Sequence, residues 1–164
     1  MMTLDDFKAA RKVLDGVLHS TDLIESPFFS KATGNQVYIK PENMQVTGAY
    51  KIRGAYFKCS TLTDEEKERG LITASAGNHA QGVALAATKN GIKSVICLPD
   101  GAPISKVEAT KKYGARVELV RGVYDDAYQR ALELRDEKHY TFIHPFDDEN
   151  VIAGQGTIGL ELLE

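Results

Sequence analysis

The chain has 164 residues, 43% hydrophobic and 26% charged, which is length and apolar content enough for one domain with a sizeable core. A net charge of −3 argues against a nucleic-acid partner, because phosphate contacts need a clustered basic surface. No apolar run approaches a membrane span. The opening Met1-Met2-Thr3-Leu4-Asp5-Asp6 lacks the basic and apolar segments of a signal peptide, so a cytoplasmic protein with no membrane partner is expected.

Residues 3–17 have helical spacing, with Leu4, Phe7, Val13 and Leu14 available for one buried face and Thr3 with Asp6 as a helix-start signal. Ser26-Pro27-Phe28-Phe29 interrupts, and residues 36–40 read as an alternating strand. A regular rhythm then begins. The pattern predicts a helix over 51–61, a strand over 71–74 and an alanine-rich helix over 78–89 closed by Asn90-Gly91. It continues with a strand over 94–98 ending at Pro99, a helix over 105–113 closed by Gly114, and a strand over 116–120. A helix over 124–138, a strand over 140–143 and a final helix from 148 complete it. Strands alternating with helices imply parallel pairing through right-handed crossovers. The expected fold is therefore α/β, a parallel sheet flanked by helices on both faces.

Cys59 and Cys97 stand alone without metal-ligand spacing, so reduced thiols are expected. His139 and His144 have no partner carboxylate pattern, and no metal site is expected. Lys106, Lys111, Lys112 and Arg116 recur among acidic residues and read as a solvated helix face. Asp147-Asp148-Glu149 and Asp125-Asp126 read as helix-start charge, and His144-Pro145 as a turn that could also face a cleft.

Two stretches could carry chemistry. Thr47-Gly48-Ala49-Tyr50-Lys51 places Lys51 after a glycine-bearing turn and at a helix start, where lost solvation and the positive helix end both lower an amine pKa. Such an amine forms Schiff bases with carbonyl cofactors. Taken alone, Lys51 and the nearby Arg53 also fit an exposed surface pair. Second, Thr73-Ala74-Ser75-Ala76-Gly77-Asn78-His79-Ala80-Gln81-Gly82 falls where an apolar strand gives way to a helix. Ligands of open parallel sheets bind at such strand ends, and the free N–H groups of the next helix suit a carboxylate or phosphate. Ser75 or Asn78 capping its own helix is the alternative. A third stretch, Gly154-Gln155-Gly156-Thr157-Ile158-Gly159, matches a dinucleotide fingerprint but has no second strand or acidic residue after it. These glycines are expected on one side of a helix that packs closely against another element.

Taken together, Lys40-Pro41-Glu42-Asn43 with Thr47 to Ala55, Ser75 to Gly82, and Val151 to Thr157 resemble the amino-terminal part of the threonine dehydratases (threonine ammonia-lyases). These are pyridoxal-phosphate enzymes of the tryptophan-synthase-β-like class, fold type II. The likeness runs from about Asp5 to the last residue. It implies that Lys51 carries the cofactor as a Schiff base, that Asn78 hydrogen-bonds the cofactor's 3′-oxygen and that Tyr50 lies beside it. It implies that Ser75, Gly77, Asn78 and His79 hold the substrate carboxylate. The implied reaction converts L-threonine to 2-oxobutanoate, or L-serine to pyruvate, with release of ammonia. Serine racemases share nearly the same motifs but carry a reprotonating serine where this chain has Ala76. Family members run on to a glycine-rich phosphate loop and a residue facing the pyridine nitrogen, which these 164 residues lack. The resemblance thus implies a truncated chain. Residues 1–52 open the cofactor domain, 53–148 form a smaller substrate-side domain and 149–164 return to the first. A homo-oligomer is implied for the whole enzyme, and a non-catalytic association module is the alternative for the chain alone.

Overall fold

The rhythm of apolar strands and helices is realised throughout the described residues, 2–164, of the computed structural model. In chain order these are α1 (Leu4–Leu14), β1 (Ile24–Glu25), α2 (Pro27–Thr33), β2 (Tyr38–Ile39) and a 3₁₀ turn at Glu42–Met44. Next come α3 (Lys51–Ser60), α4 (Asp64–Glu68), β3 (Leu71–Ala74), α5 (Asn78–Lys89) and β4 (Ser94–Pro99). The chain continues through α6 (Ile104–Lys112), β5 (Arg116–Val120), α7 (Tyr124–Lys138), β6 (Thr141–Phe142) and α8 (Glu149–Leu162).

Two short helices escape the sequence pattern. Pro27, which reads as an interruption, is the first residue of α2, where its missing N–H is no loss; Ser26 caps that turn. The five-residue α4 is held by the reciprocal bonds of Thr63 with Glu66. At the chain start, Thr3 N–H donates to Asp6 at 2.7 Å, as the helix-start signal predicts.

Strands β5, β4, β3 and β6 form, in that order, a four-stranded parallel sheet. Alternation along the strands sorts the core. Leu71, Ile96 and Leu98 face Ile52 of α3, Val83 and Ala84 of α5, and Val107 of α6. Ile72, Ala74, Val95 and Cys97 face Ala127, Ala131 and Leu134 of α7. The expected strand at 36–40 shrinks to β2 and lies outside this sheet. It pairs antiparallel with β1, since Pro41 and the 3₁₀ turn end it at once.

From β3 the chain steps outward to β4 and β5 on one face, then crosses by α7 on the other face to lay β6 against β3. That reversal is a topological switch point at the carboxyl ends of β3 and β6, the place where open α/β sheets bind ligands.

A second layer, α1 and α8 against α3, fixes the approach to Lys51. The glycines of α8 do not share one side. A Cβ on Gly154 would stand 2.5 Å from Arg53 O and 2.6 Å from Gly54 Cα, whereas one on Gly156 would stand 2.3 Å from the Phe7 ring. Residues two apart on a helix point nearly opposite ways, so two different neighbours press on α8. Asp148 caps it by accepting from the N–H groups of Asn150 and Val151 at 2.9 and 3.1 Å.

Arg53 is not half of a surface pair but is fully buried. It donates to both oxygens of Glu42 at 2.9 and 2.7 Å, to Thr157 Oγ1 at 3.1 Å and to Glu161 Oε2 at 3.0 Å. Lys40 Nζ lies 2.6 Å from Glu161 and also donates to Thr21 O at 2.6 Å. Burial alone would lower the Arg53 pKa; the bonds to Glu42 and Glu161 more than offset it and hold it above its ordinary value. Two cations thus meet two carboxylates, and the segment carrying Lys40 and Glu42 is tied to α3 and α8.

Candidate functional site

Three segments far apart in sequence meet at this switch point. The first is the turn into α3. Gly48 adopts φ +70°, which a side chain disfavours, and donates its N–H to Gln45 O at 2.7 Å. Tyr50 ends the turn and Lys51 opens α3, as the sequence predicts. Lys51 is half-buried, Tyr50 is exposed, and the Lys51 amine lies 5.5 Å from the centre of the Tyr50 ring.

The second is the β3–α5 loop. Ser75 N–H extends the strand ladder to Cys97 O at 3.1 Å, and Ser75 Oγ accepts from Gly77 N–H at 3.2 Å. Gly77 is the residue before α5, and no side chain caps that helix. The capping alternative for Ser75 and Asn78 is therefore corrected. The N–H groups of Asn78, His79 and Ala80 in the first turn are left without intrahelical partners. A Cβ on Gly77 would meet nothing within 4 Å, so the space around this residue is open. Exposed Asn78 accepts from Lys106 Nζ at 3.3 Å through Oδ1, which leaves its amide N–H groups free to donate. One member of the expected solvated basic face, Lys106, thus reaches Asn78.

Gly82 joins these two segments. A Cβ there would stand 3.2 Å from both C and O of Lys51. Asn78 lies one turn earlier on the same helix face, so it projects beside the start of α3.

The third segment is the exit of β6. Lys51 Nζ donates to Pro145 O at 2.8 Å. The His144 ring accepts from the N–H groups of Phe146 and Asp147 at 3.3 and 2.8 Å, so the turn role is the one it plays. Only the adjacent carbonyl faces the lysine.

His79 is turned inward. It is 3% exposed, its Nε2 is 3.2 Å from Ile143 O, and its Nδ1 has no partner. Because a carbonyl only accepts, Nε2 carries the proton. Burial drives the His79 pKa down to about 4; the bond to Ile143 opposes this, and the charges of Lys51 and His144 add to it. Its backbone N–H is what remains for a ligand.

Sequence reading passed over Thr73, whose hydroxyl donates to Ile143 O at 2.7 Å, and Arg53, whose charge suggested the surface. Pro145 could not be found by residue type, because its contribution is a backbone oxygen. A cavity of about 820 Å³ lies elsewhere, lined by Lys8, Arg11, His19, Asp22, Lys40 and Glu161 among others, and includes none of the candidate residues. Among the described residues no group of His, Cys, Asp or Glu is placed to hold a metal ion, and no helix is long and apolar enough to cross a membrane.

Comparison with known proteins identifies the family. Residues 14–164 match the family described as pyridoxal-phosphate dependent enzyme. An L-threonine ammonia-lyase of Thermotoga maritima is 51% identical over all of this chain and 41% of its own length. Threonine deaminase isoform 2 of Solanum lycopersicum superposes with a TM-score of 0.89 at 40% identity, covering 97% of this chain and 43% of that one. Maize serine racemase gives 0.93 at 36% identity, covering 98% and 49%. The chain therefore spans about half the length of the relatives it matches.

Proposed function

Since the chain belongs to the pyridoxal-phosphate dependent enzymes, we propose that it forms the lysine-bearing half of a threonine ammonia-lyase, converting L-threonine to 2-oxobutanoate and ammonia and L-serine to pyruvate. The observation that carries this reading is the uncapped first turn of α5, on a helix whose Gly82 packs directly against the Lys51 backbone.

The residues present fit the cofactor. Lys51 offers a half-buried primary amine, Asn78 has free amide N–H groups, and the exposed Tyr50 ring flanks the amine. Bound there, pyridoxal phosphate supplies an electron sink for the pair left when an α-proton is removed. The chain's own residues do the rest. The N–H groups of Asn78, His79 and Ala80, with the Ser75 hydroxyl, hold the substrate carboxylate. Lys51 Nζ would hold the cofactor and, as a free amine, would take the substrate α-proton as a base. Asn78, with its free amide N–H groups, would hold the cofactor's 3′-oxygen.

The likeness to maize serine racemase supports a second reading. Racemisation needs a second proton donor, and the loop position at issue is Ala76, which has no hydroxyl; elimination is favoured. We further assign residues 1–52 and 149–164 to the cofactor domain and 53–148 to the substrate-side domain, in a cytoplasmic homo-oligomer. Exposed Ile24, Phe28, Phe29, Tyr38 and Ile39 around the β1–β2 ribbon support burial of that surface against further protein.

The test is borohydride reduction of the chain with pyridoxal phosphate, followed by peptide mapping. Pyridoxyl label is expected at Lys51, with none at that position in Lys51→Ala. Label spread evenly over exposed lysines would overturn the assignment. Release of 2-oxo acid from L-threonine is expected once the polypeptide matching the rest of the relatives' length is supplied.

A further inference from the structure

The Ile143 carbonyl receives two buried side-chain donors from different elements: Thr73 Oγ1 of β3 at 2.7 Å and His79 Nε2 of α5 at 3.2 Å. Thr73 and Ile143 are fully buried, and His79 nearly so. Two donors occupy both lone pairs of the oxygen, so this peptide unit has no freedom to rotate. The arrangement falls where the β3–β6 ladder stops. Its pairs are Leu71 with Thr141 and Ile72 with Phe142, and its last bond runs from Ile143 N–H to Ile72 O at 2.9 Å. Past that point side chains replace the ladder. The strand can then leave the sheet, turn on the His144 ring, and present the buried Pro145 carbonyl to Lys51 Nζ.

We propose that Thr73 and His79 are positioning residues for Lys51: by clamping Ile143 they fix the Pro145 carbonyl as the acceptor that aims the lysine amine. This deepens the reading of Lys51 as the reactive amine and rests on it. The chemistry requires such an acceptor. A neutral primary amine has N–H donors and a single lone pair, and a carbonyl can engage only an N–H. An N–H held by Pro145 O therefore limits rotation about the terminal C–N bond and leaves the lone pair directed away from the carbonyl, free to react or to take a proton. Without the clamp the amine keeps its reach but loses its direction.

The clamp can be read in the cofactor-free chain, which keeps its outcome separate from that of the borohydride experiment. Labelling proline with ¹³C at the carbonyl and phenylalanine with ¹⁵N selects the Pro–Phe peptide bonds, which in this sequence are 27–28 and 145–146. Lys51→Met is expected to move the 145 carbonyl resonance upfield, through loss of its donor, and to leave the 27 resonance in place. Thr73→Val is expected to move the same resonance the same way, and Thr73→Ser, which retains the hydroxyl, to restore it. A merely structural Thr73 would not single out this carbonyl. The proposal is overturned if Lys51→Met leaves the 145 resonance unmoved, or if Thr73→Val folds and leaves it unmoved. Should Thr73→Val not fold, His79→Gln, which keeps an N–H donor, and His79→Leu, which does not, make the same comparison with the same criteria.

Discussion

His79 makes folding of this chain sensitive to mild acid. Its imidazole is sealed beneath the β3–α5 loop, and its pKa is pushed from the ordinary 6.5 down to about 4, chiefly by burial. In the unfolded chain the same ring takes up a proton near pH 6.5. Between those two values the unfolded state binds a proton that the folded state refuses, so stability falls as pH drops through the window and levels off below it. A gap of about 2.5 units corresponds to about 3 kcal/mol, at most. That is a large part of the roughly 5–15 kcal/mol typical of a domain. Glu42, Asp148 and Glu161 also lose stabilisation on protonation. Their folded pKa values lie below the carboxylate range, so their effect enters mainly below about pH 4.5. Urea unfolding of the native chain and of His79→Gln from neutral pH down to about 4.5 separates the two. The variant cannot protonate there, so the native chain should lose about 2–3 kcal/mol relative to it. Parallel curves, or an NMR titration of the His79 ring with a midpoint near 6.5, would refute the reasoning.

Other perturbations have equally definite outcomes. Arg53→Met takes the ion pair from Glu42 and leaves Glu161 with Lys40, and should cost about 3–5 kcal/mol in chemical denaturation. Gly154→Ala puts a methyl group 2.5 Å from Arg53 O, a backbone atom that cannot yield unless α3 and α8 separate. A loss of about 1–3 kcal/mol is expected, with Gly159→Ala, which meets nothing within 4 Å, as the unaffected control. Gly82→Ala presses at 3.2 Å on the Lys51 carbonyl, so α5 must move off by a few tenths of an ångström. Pyridoxyl labelling at Lys51 should fall by more than the melting temperature suggests, because the change strikes the join between the lysine and the anion site.

The site is economical in what it asks of each segment. The β3–α5 loop provides donors, the turn into α3 provides the amine, and the β6 exit provides an acceptor. These are brought together because the sheet reverses its winding at β3, which sets the carboxyl ends of β3 and β6 side by side. The ion cluster of Lys40, Glu42, Arg53 and Glu161 holds the same join from behind. It gives a structural role to Lys40 and Glu42 in the first of the stretches that carry the family resemblance.

Much of this was legible in local pattern. The bounds of α5 and β5 follow from apolar spacing and from Gly or Asn stops, and those of α7 from spacing, since such signals act within a turn or two of the residues concerned. Lys51 at a helix start and an open loop after β3 are likewise local, and so is the capping role of Asp148. Other features depend on what lies across space. The charge of Arg53 suggests water, and only the arrival of Glu42 and Glu161 from other segments makes burial tolerable. His79 reads as a polar residue in the first turn of a helix, yet Ile143 at the exit of β6 closes over it. The helix α8 shows its glycines in sequence but not which neighbour each admits. The Pro145 oxygen belongs to the backbone, so no side-chain identity announces it. Composition and periodicity thus determined the α/β class and the order of the main strands and helices, because these depend on near neighbours along the chain. Tertiary structure alone decided which faces meet, which charges are buried and where the lysine amine points, because hydrogen bonds between residues 51, 73, 79, 143 and 145 exist only after the sheet has closed.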